Sequence, residues 1–131
     1  VDASVMDVAS GEGYGTGYAG TFAKTAIGFD ISEEAVRHAR ARYTHCTYGA
    51  ADCCEVDYAI ADTVVSFETI EHLPDPEKFL DALKSCKGSI AISTPNRKTH
   101  SPGNKLTDKP LNKFHTIEWT PKEFAKLVES K

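Results

Sequence analysis

The sequence predicts an α/β domain built on a doubly wound, mainly parallel sheet of about five strands. Three observations carry that prediction. Short strand-like runs alternate with helical patterns along the chain, and parallel neighbours need such crossover connections. A glycine-dense stretch, Gly11, Gly13, Gly15, Gly17 and Gly20, directly follows the first apolar run, as where a buried strand enters a tight turn. The chain has 131 residues, and single cores take roughly 100–200, so residues 1–131 are read as one unit.

Each element has its own signal. Ser4 to Val8 is the first strand, and Thr16 to Lys24 a short helix after the glycines. Ala26 to Asp30 reads as the second strand. Ser32 then caps a helix whose first turn carries Glu33 and Glu34 and whose end carries Arg40 and Arg42, both placements suiting the helix dipole. Thr44 to Tyr48 is expected as a third strand leading into a turn over Gly49 to Asp52. Thr63 to Phe67 is the fourth by β-branched content. After the break at Leu73-Pro74-Asp75-Pro76, Glu77 to Ser85 forms a helix with Phe79, Leu80 and Leu83 on its apolar face, stopped by Gly88. Ser89 to Ser93 is the fifth strand. Pro95 to Thr120 reads as a long irregular segment, and Pro121 opens a last helix through Val128.

Composition narrows the function classes. Hydrophobic residues make up 40% and charged ones 26%, the balance of an ordinary globular domain rather than a disordered or collagen-like chain. No apolar run approaches the roughly 20 residues of a membrane-spanning helix, and no basic-then-apolar leader opens the chain; a cytoplasmic protein without a membrane partner is expected. The net charge of −4 hides an asymmetry: residues 1–83 hold 5 Lys/Arg against 15 Asp/Glu, residues 84–131 hold 10 against 4. A uniformly basic nucleic-acid surface is thereby excluded. Cys46, Cys53, Cys54 and Cys86 include no CxxC pair and fit thiols in a reducing compartment. His45 with Cys46, Cys53 and Cys54 matches no familiar zinc spacing, so no metal is expected.

In a doubly wound sheet, ligands collect outside the carboxyl ends of the strands, so the residues just after each strand matter most. After the first strand stands Asp7-Val8-Ala9-Ser10-Gly11-Glu12-Gly13-Tyr14-Gly15, whose glycines let backbone approach a ligand closely. After the second comes Asp30, a carboxylate suited to two ribose hydroxyls, 19 residues beyond Gly11 and close to the spacing of a nucleoside-binding unit. Gly15 to Gly20 also spells GxGxxG. That motif starts well past the strand end and too close to Asp30 for a pyrophosphate turn, so an NAD-type dinucleotide site is the weaker alternative.

These residues resemble the class I methyltransferases that use S-adenosylmethionine, a Rossmann-like family, with likeness to its type 11 and type 23 members. Asp7 to Gly15 is similar to their first motif, with Ala9 where glycine is common. Ile27 to Ser32 resembles the second, in which Asp30 would hold the ribose. Ala51-Asp52-Cys53 falls where the family places an acid for the adenine amino group. Ser66-Phe67-Glu68-Thr69-Ile70-Glu71-His72-Leu73 resembles the segment lining the methyl-transfer site. The likeness runs from about residue 4 to about residue 95. It implies S-adenosylmethionine as cofactor, held by Asp7, Ala9, Ser10, Gly11, Gly13, Gly15, Asp30, Ile31, Asp52, Cys53, Phe67 and Glu68. Ser93-Thr94-Pro95-Asn96, Phe114-His115 and Glu118-Trp119-Thr120-Pro121 further resemble a subgroup associated with surface-polysaccharide genes, which implies a hydroxyl on a sugar or other small molecule as acceptor.

A hydroxyl acceptor benefits from a base, and histidine suits neutral pH. His72, just past the fourth strand, is the first candidate and His115 the second. The plainer alternatives are a structural hydrogen bond for His72 and loop packing with Phe114 and Trp119 for His115. Arg97, Lys98, Lys105, Lys109 and Lys113 read as solvated loop charges. The resembled family has seven strands, closed at one edge by a C-terminal pair absent from this chain. Two further expectations follow: a fragment or reduced form whose exposed sheet edge favours self-association, and, as the alternative to an active enzyme, an inactive cofactor-binding module serving as a partner subunit.

Overall fold

The computed structural model describes residues 2–131. Five strands, β1 (Ser4–Val8), β2 (Thr25–Asp30), β3 (Thr47–Ala50), β4 (Thr63–Phe67) and β5 (Ser89–Ser93), form one sheet in the order β3-β2-β1-β4-β5. Every pairing is parallel. The helices are α1 (Tyr14–Ala19), α2 (Glu33–Arg42), α3 (Pro76–Leu83), α4 (Arg97–His100) and α5 (Pro121–Glu129), with a 3-10 turn at Ile70–His72.

Strand alternation decides which helix covers which face. Met6 and Val8 of β1, Ile27 and Phe29 of β2 and Val64 of β4 point into one core with Phe79, Leu80 and Leu83 of α3 and with Tyr58, Ile70 and Trp119. Full burial of side chains this size contributes about 1.5–3 kcal/mol each. The opposite residues of the same strands meet α1 and α2. Asp7 reaches Thr16, a side chain at Gly28 would strike Thr16 and Tyr48, and Tyr48 packs on Val36 and Ala39. The β1–β4 part of this second face is an open apolar groove bordered by Tyr18 of α1 and by Phe22 just beyond it.

β1, β4 and β5 lie where their sequences place them, β2, α3 and α5 shift by one or two residues at their ends, and three other segments differ more. α1 begins at Tyr14 and ends at Ala19, with Gly20 as its C-cap, rather than continuing to Lys24, whose amide turns back to the Ala3 carbonyl at 2.9 Å. β3 runs Thr47–Ala50, later than expected. The parallel register sets it, with Ile27 opposite Thr47 and Asp30 opposite Ala50, and Gly49 sits inside the strand because the Phe29 ring lies over it. Residues 95–120 are not irregular throughout: Asn96 caps the single turn of α4 and bridges to Trp119.

Caps fix the remaining helix starts. Ser32 accepts from the Ala35 amide at 3.2 Å, and Asp75 accepts from Lys78 at 3.0 Å just ahead of Pro76. Thr120 and Glu123 form a reciprocal capping box at the head of α5, satisfying two amides that would otherwise lack partners. Among the described residues no helix is long and apolar enough to cross a membrane. β5 is an edge strand with Ile90 exposed.

Candidate functional site

The carboxyl ends of four strands converge on one cavity of about 300 Å³, a volume within the range of small-molecule sites. Ala9 enters from β1, Asp30 and Ile31 from β2, Ala51, Asp52 and Cys53 from β3, and Thr69 from beyond β4, with Leu73 and Pro74 opposite. The cavity lies beside the point where the strand order reverses between β1 and β4, which is where open α/β sheets bind ligands.

The turn from β1 to α1 owes its shape to three left-handed residues, Ala9 (φ 59°), Gly11 (φ 54°) and Gly13 (φ 92°). Ala9 takes up a conformation that glycine adopts freely, at a cost of roughly 1 kcal/mol. Asp30 ties the turn down: one carboxylate oxygen accepts the Gly11 amide at 2.9 Å and the other the Ser32 amide at 2.9 Å. Each oxygen keeps a second lone pair. Asp52 accepts the Cys54 amide at 2.9 Å. Ile31 is 74% exposed at the rim.

The other residues named from the sequence lie outside this cavity lining. Asp7 is buried and accepts from the Thr16 hydroxyl at 2.8 Å. Burial pushes its carboxyl above the ordinary value, against the opposing pull of the Thr16 hydroxyl and amide. With Gly15 and Phe67 it borders the apolar groove across the sheet. Ser10 lies behind the turn, its hydroxyl near Gly28. Gly13 carries the turn onto Ala39 and Tyr48. Glu68 stands exposed in a strained left-handed conformation (φ 52°), its amide donating to Ser93.

His72 and His115, 43 positions apart in the chain, meet edge to face with ring centroids 4.8 Å apart. Each is oriented by its Nδ1. His72 Nδ1 donates to the Phe114 carbonyl at 2.9 Å, and His115 Nδ1 to Glu118 Oε1 at 2.6 Å; because both partners only accept, Nδ1 is the donor in each ring and Nε2 takes no part in these bonds. Glu118 is buried. Burial works to raise its pKa, but the Ser101 hydroxyl and His115 outweigh that, so the carboxyl falls below its ordinary value. Glu71, fully buried beneath the pair, accepts from the Thr94 hydroxyl at 3.0 Å through one oxygen and has no hydrogen-bond partner on the other. Thr116 fastens the two segments together, its amide reaching the Glu71 carbonyl at 2.6 Å and its hydroxyl that of Leu73 at 2.8 Å.

Sequence reasoning gave no role to Glu71, Glu118, Thr94 or Thr116. The acid beside His72 and the acid three residues after His115 were the only available signals. One expectation is overturned: Arg97 is no solvated loop charge. It is 8% exposed, forks onto both oxygens of Glu123 at 2.6 and 2.8 Å, and donates to the Glu118 and Asn104 carbonyls. Lys98, Lys105, Lys109 and Lys113 are exposed as expected.

A parallel sheet in this order, with acids at the ends of β2 and β3 turned to one cavity, defines a Rossmann-like, nucleoside-binding type of α/β domain. The chain belongs to the methyltransferase domain family, whose model matches residues 6–87. It is 38% identical over 131 residues to a probable S-adenosylmethionine-dependent methyltransferase of Mycolicibacterium smegmatis, covering 96% of this chain and 50% of that one. A relative of the same description from Mycobacterium tuberculosis is 38% identical over 129 residues, covering 95% and 46%. The chain thus spans about half the length of the curated relatives it matches. Among solved structures, an S-adenosylmethionine-dependent methyltransferase from Clostridium acetobutylicum superposes with a TM-score of 0.79 at 14% identity, over 98% of this chain and 72% of that one. A chain from the complex of the Haloferax volcanii Trm112 methyltransferase activator with a methyltransferase gives 0.79 at 20%, over 98% and 60%. At such identities the likeness is one of fold.

Proposed function

We propose that this chain binds S-adenosylmethionine in the cavity at the strand ends and directs its methyl group to a hydroxyl on a small molecule or sugar. The observation that carries this reading is the meeting of Asp30 and Asp52 at one cavity with Ile31 exposed at its rim. A ribose fits the unused lone pairs of Asp30, an adenine amino group fits Asp52, and the flat base fits the apolar plate of Ile31. The family match and the 38% identical relatives support the same cofactor. When bound, it supplies a methyl group on a sulfonium leaving group, so the chain's own task is to align, to exclude water and to handle the acceptor's proton. The His72–His115 pair is the group for that proton. It adjoins the turn whose Thr69 and Leu73 line the cavity.

Calorimetry with S-adenosylmethionine and its demethylated product tests the cofactor. Binding of both is expected, and absence of binding overturns the reading. Asp30→Ala should weaken binding by about 1–3 kcal/mol, the worth of a hydrogen bond to a charged group; Asp30→Asn, which keeps one acceptor oxygen, should lose less. Unchanged affinity in Asp30→Ala would remove the ribose assignment. Mass detection of methylated products across sugars, phenols and carboxylates tests the acceptor. Transfer to sugars or phenols is the expected outcome, whereas binding without turnover would make the chain an inactive partner module.

A further inference from the structure

We infer that Glu71, His72 and His115 form a binding site for one divalent first-row transition-metal ion. Their ligand atoms all lie within 4.8 Å of one another, with Glu71 Oε1 3.8 Å from His72 Nε2. Three features point to a cation. Glu71 is fully buried, and its Oε1 has no hydrogen-bond partner although it faces the two rings. A buried carboxylate oxygen left bare in this way costs stability unless something positive meets it. Both imidazoles are held through Nδ1, which leaves Nε2 as the atom a metal would take. The Glu118–His115 contact also reproduces the carboxylate–histidine arrangement that orients metal-bound imidazoles and raises their basicity.

The donor set selects the ion. Two imidazole nitrogens and one carboxylate oxygen suit Zn²⁺, Mn²⁺, Fe²⁺ or Co²⁺ better than Ca²⁺ or Mg²⁺, which take mostly oxygen. Ligands about 2.0–2.2 Å from one ion are about 3.4 Å apart at a tetrahedral angle, so the widest donor pair must close by about an ångström on binding. His72, whose side chain is 41% exposed, can make that movement. The site then keeps open coordination positions toward solvent. The second group of suitable side chains, Asp52, Cys53 and Cys54, is a poorer candidate. Burial pushes the Cys53 thiol up to about 12, with Cys54 and Asp52 adding to it, so the ligating thiolate is disfavoured. On the reading proposed above, an ion held on both Nε2 atoms would take the place of a histidine base, polarising the acceptor hydroxyl so that its proton is lost to solvent. Metal binding itself stands without that reading.

The probe is Co²⁺, followed by its visible d–d absorption in the 131-residue chain and by displacement with Zn²⁺. One Co²⁺ per chain is expected. His72→Ala and Glu71→Gln should each weaken it at least tenfold, and Glu118→Gln, which only positions His115, by about 10–100-fold. Asp30→Ala and Cys54→Ser should bind Co²⁺ as the parent does. His72→Ala is the decisive variant because its half-exposed ring supports little of the core, and circular dichroism of Glu71→Gln checks that its fold persists. No Co²⁺ or Zn²⁺ binding up to millimolar concentration, unchanged affinity in His72→Ala, or loss confined to Cys54→Ser would each overturn the inference. Metal binding by a chain that fails to bind S-adenosylmethionine would instead overturn the functional reading and leave this site standing.

Discussion

Arg97→Ala should lower the unfolding free energy by about 2–3 kcal/mol. The guanidinium is almost wholly buried, with 10% of its side chain exposed against 32% for Glu123. Removing one partner of a buried pair costs about 3–5 kcal/mol, and the partial exposure of Glu123 places this pair at or below the lower end. Two carbonyls, of Glu118 and Asn104, lose their donor as well. Arg97→Lys should rescue little, because a single ammonium cannot match the fork on both Glu123 oxygens. Urea denaturation at pH 7 measures the loss, and an unchanged midpoint would show the pair to be energetically idle. The effect also has a pH signature. Hydrogen bonds from Arg97 and the Thr120 amide hold Glu123 down to about 2, whereas an unfolded glutamate titrates near 4.3. Between those values the unfolded chain binds the proton and the folded one does not, so stability rises with pH there. The pair's contribution is complete above about 4.5 and is lost as pH falls through about 2. The difference between parent and Arg97→Ala should therefore shrink across that window.

The same residue shows where the sequence stops being legible. Elements set by local chemistry are readable in the chain: β1, β4 and β5 by their β-branched runs, α2 by Ser32 with its first-turn acids, and α5 by Thr120-Pro121. Elements set by a neighbour are not. β3 takes its bounds from β2, and a glycine that locally signals a turn is tolerated inside the strand beneath Phe29. Arg97 lies in a stretch with four nearby lysines and prolines at both ends, and nothing local says that Glu123, 26 residues on, will meet it. The site divides in the same way. Asp30 and Asp52 follow their strands directly, so strand alternation alone brings them to one cavity. His72 is readable as a residue past β4, but its meeting with His115 and Glu118 depends on the return of residues 114–119 across the 3-10 turn, which Thr116 and Trp119 secure over a long sequence separation. Glu71 is illegible for another reason: an acid next to a histidine carries no local mark of complete burial.

Gly13→Ala should cost about 2–5 kcal/mol, and Gly11→Ala only about 1–2. Both glycines are left-handed, at φ 92° and 54°, so each alanine pays the roughly 1–2 kcal/mol of that conformation. What separates them is space. A Cβ at Gly13 would lie 2.6 Å from Ala39 Cβ and 2.9 Å from the Tyr48 ring, while one at Gly11 would meet nothing within 4 Å. Ala39 belongs to the spine of α2 and Tyr48 is buried, donating its hydroxyl to the Gly13 carbonyl at 3.1 Å. Neither can withdraw without opening the packing of α2 on the sheet, and overpacking of this kind adds about 1–3 kcal/mol. The two variants should differ in ligand binding as well. Gly13→Ala displaces the whole turn, including the Gly11 amide that Asp30 holds, and so should weaken S-adenosylmethionine binding together with stability. Gly11→Ala leaves the packing intact, so any binding defect in it comes from the added methyl and the altered turn alone. Thermal unfolding and calorimetry on both variants check this. Equal destabilisation by the two would mean that backbone conformation, and not contact with Ala39 and Tyr48, decides the shape of the turn.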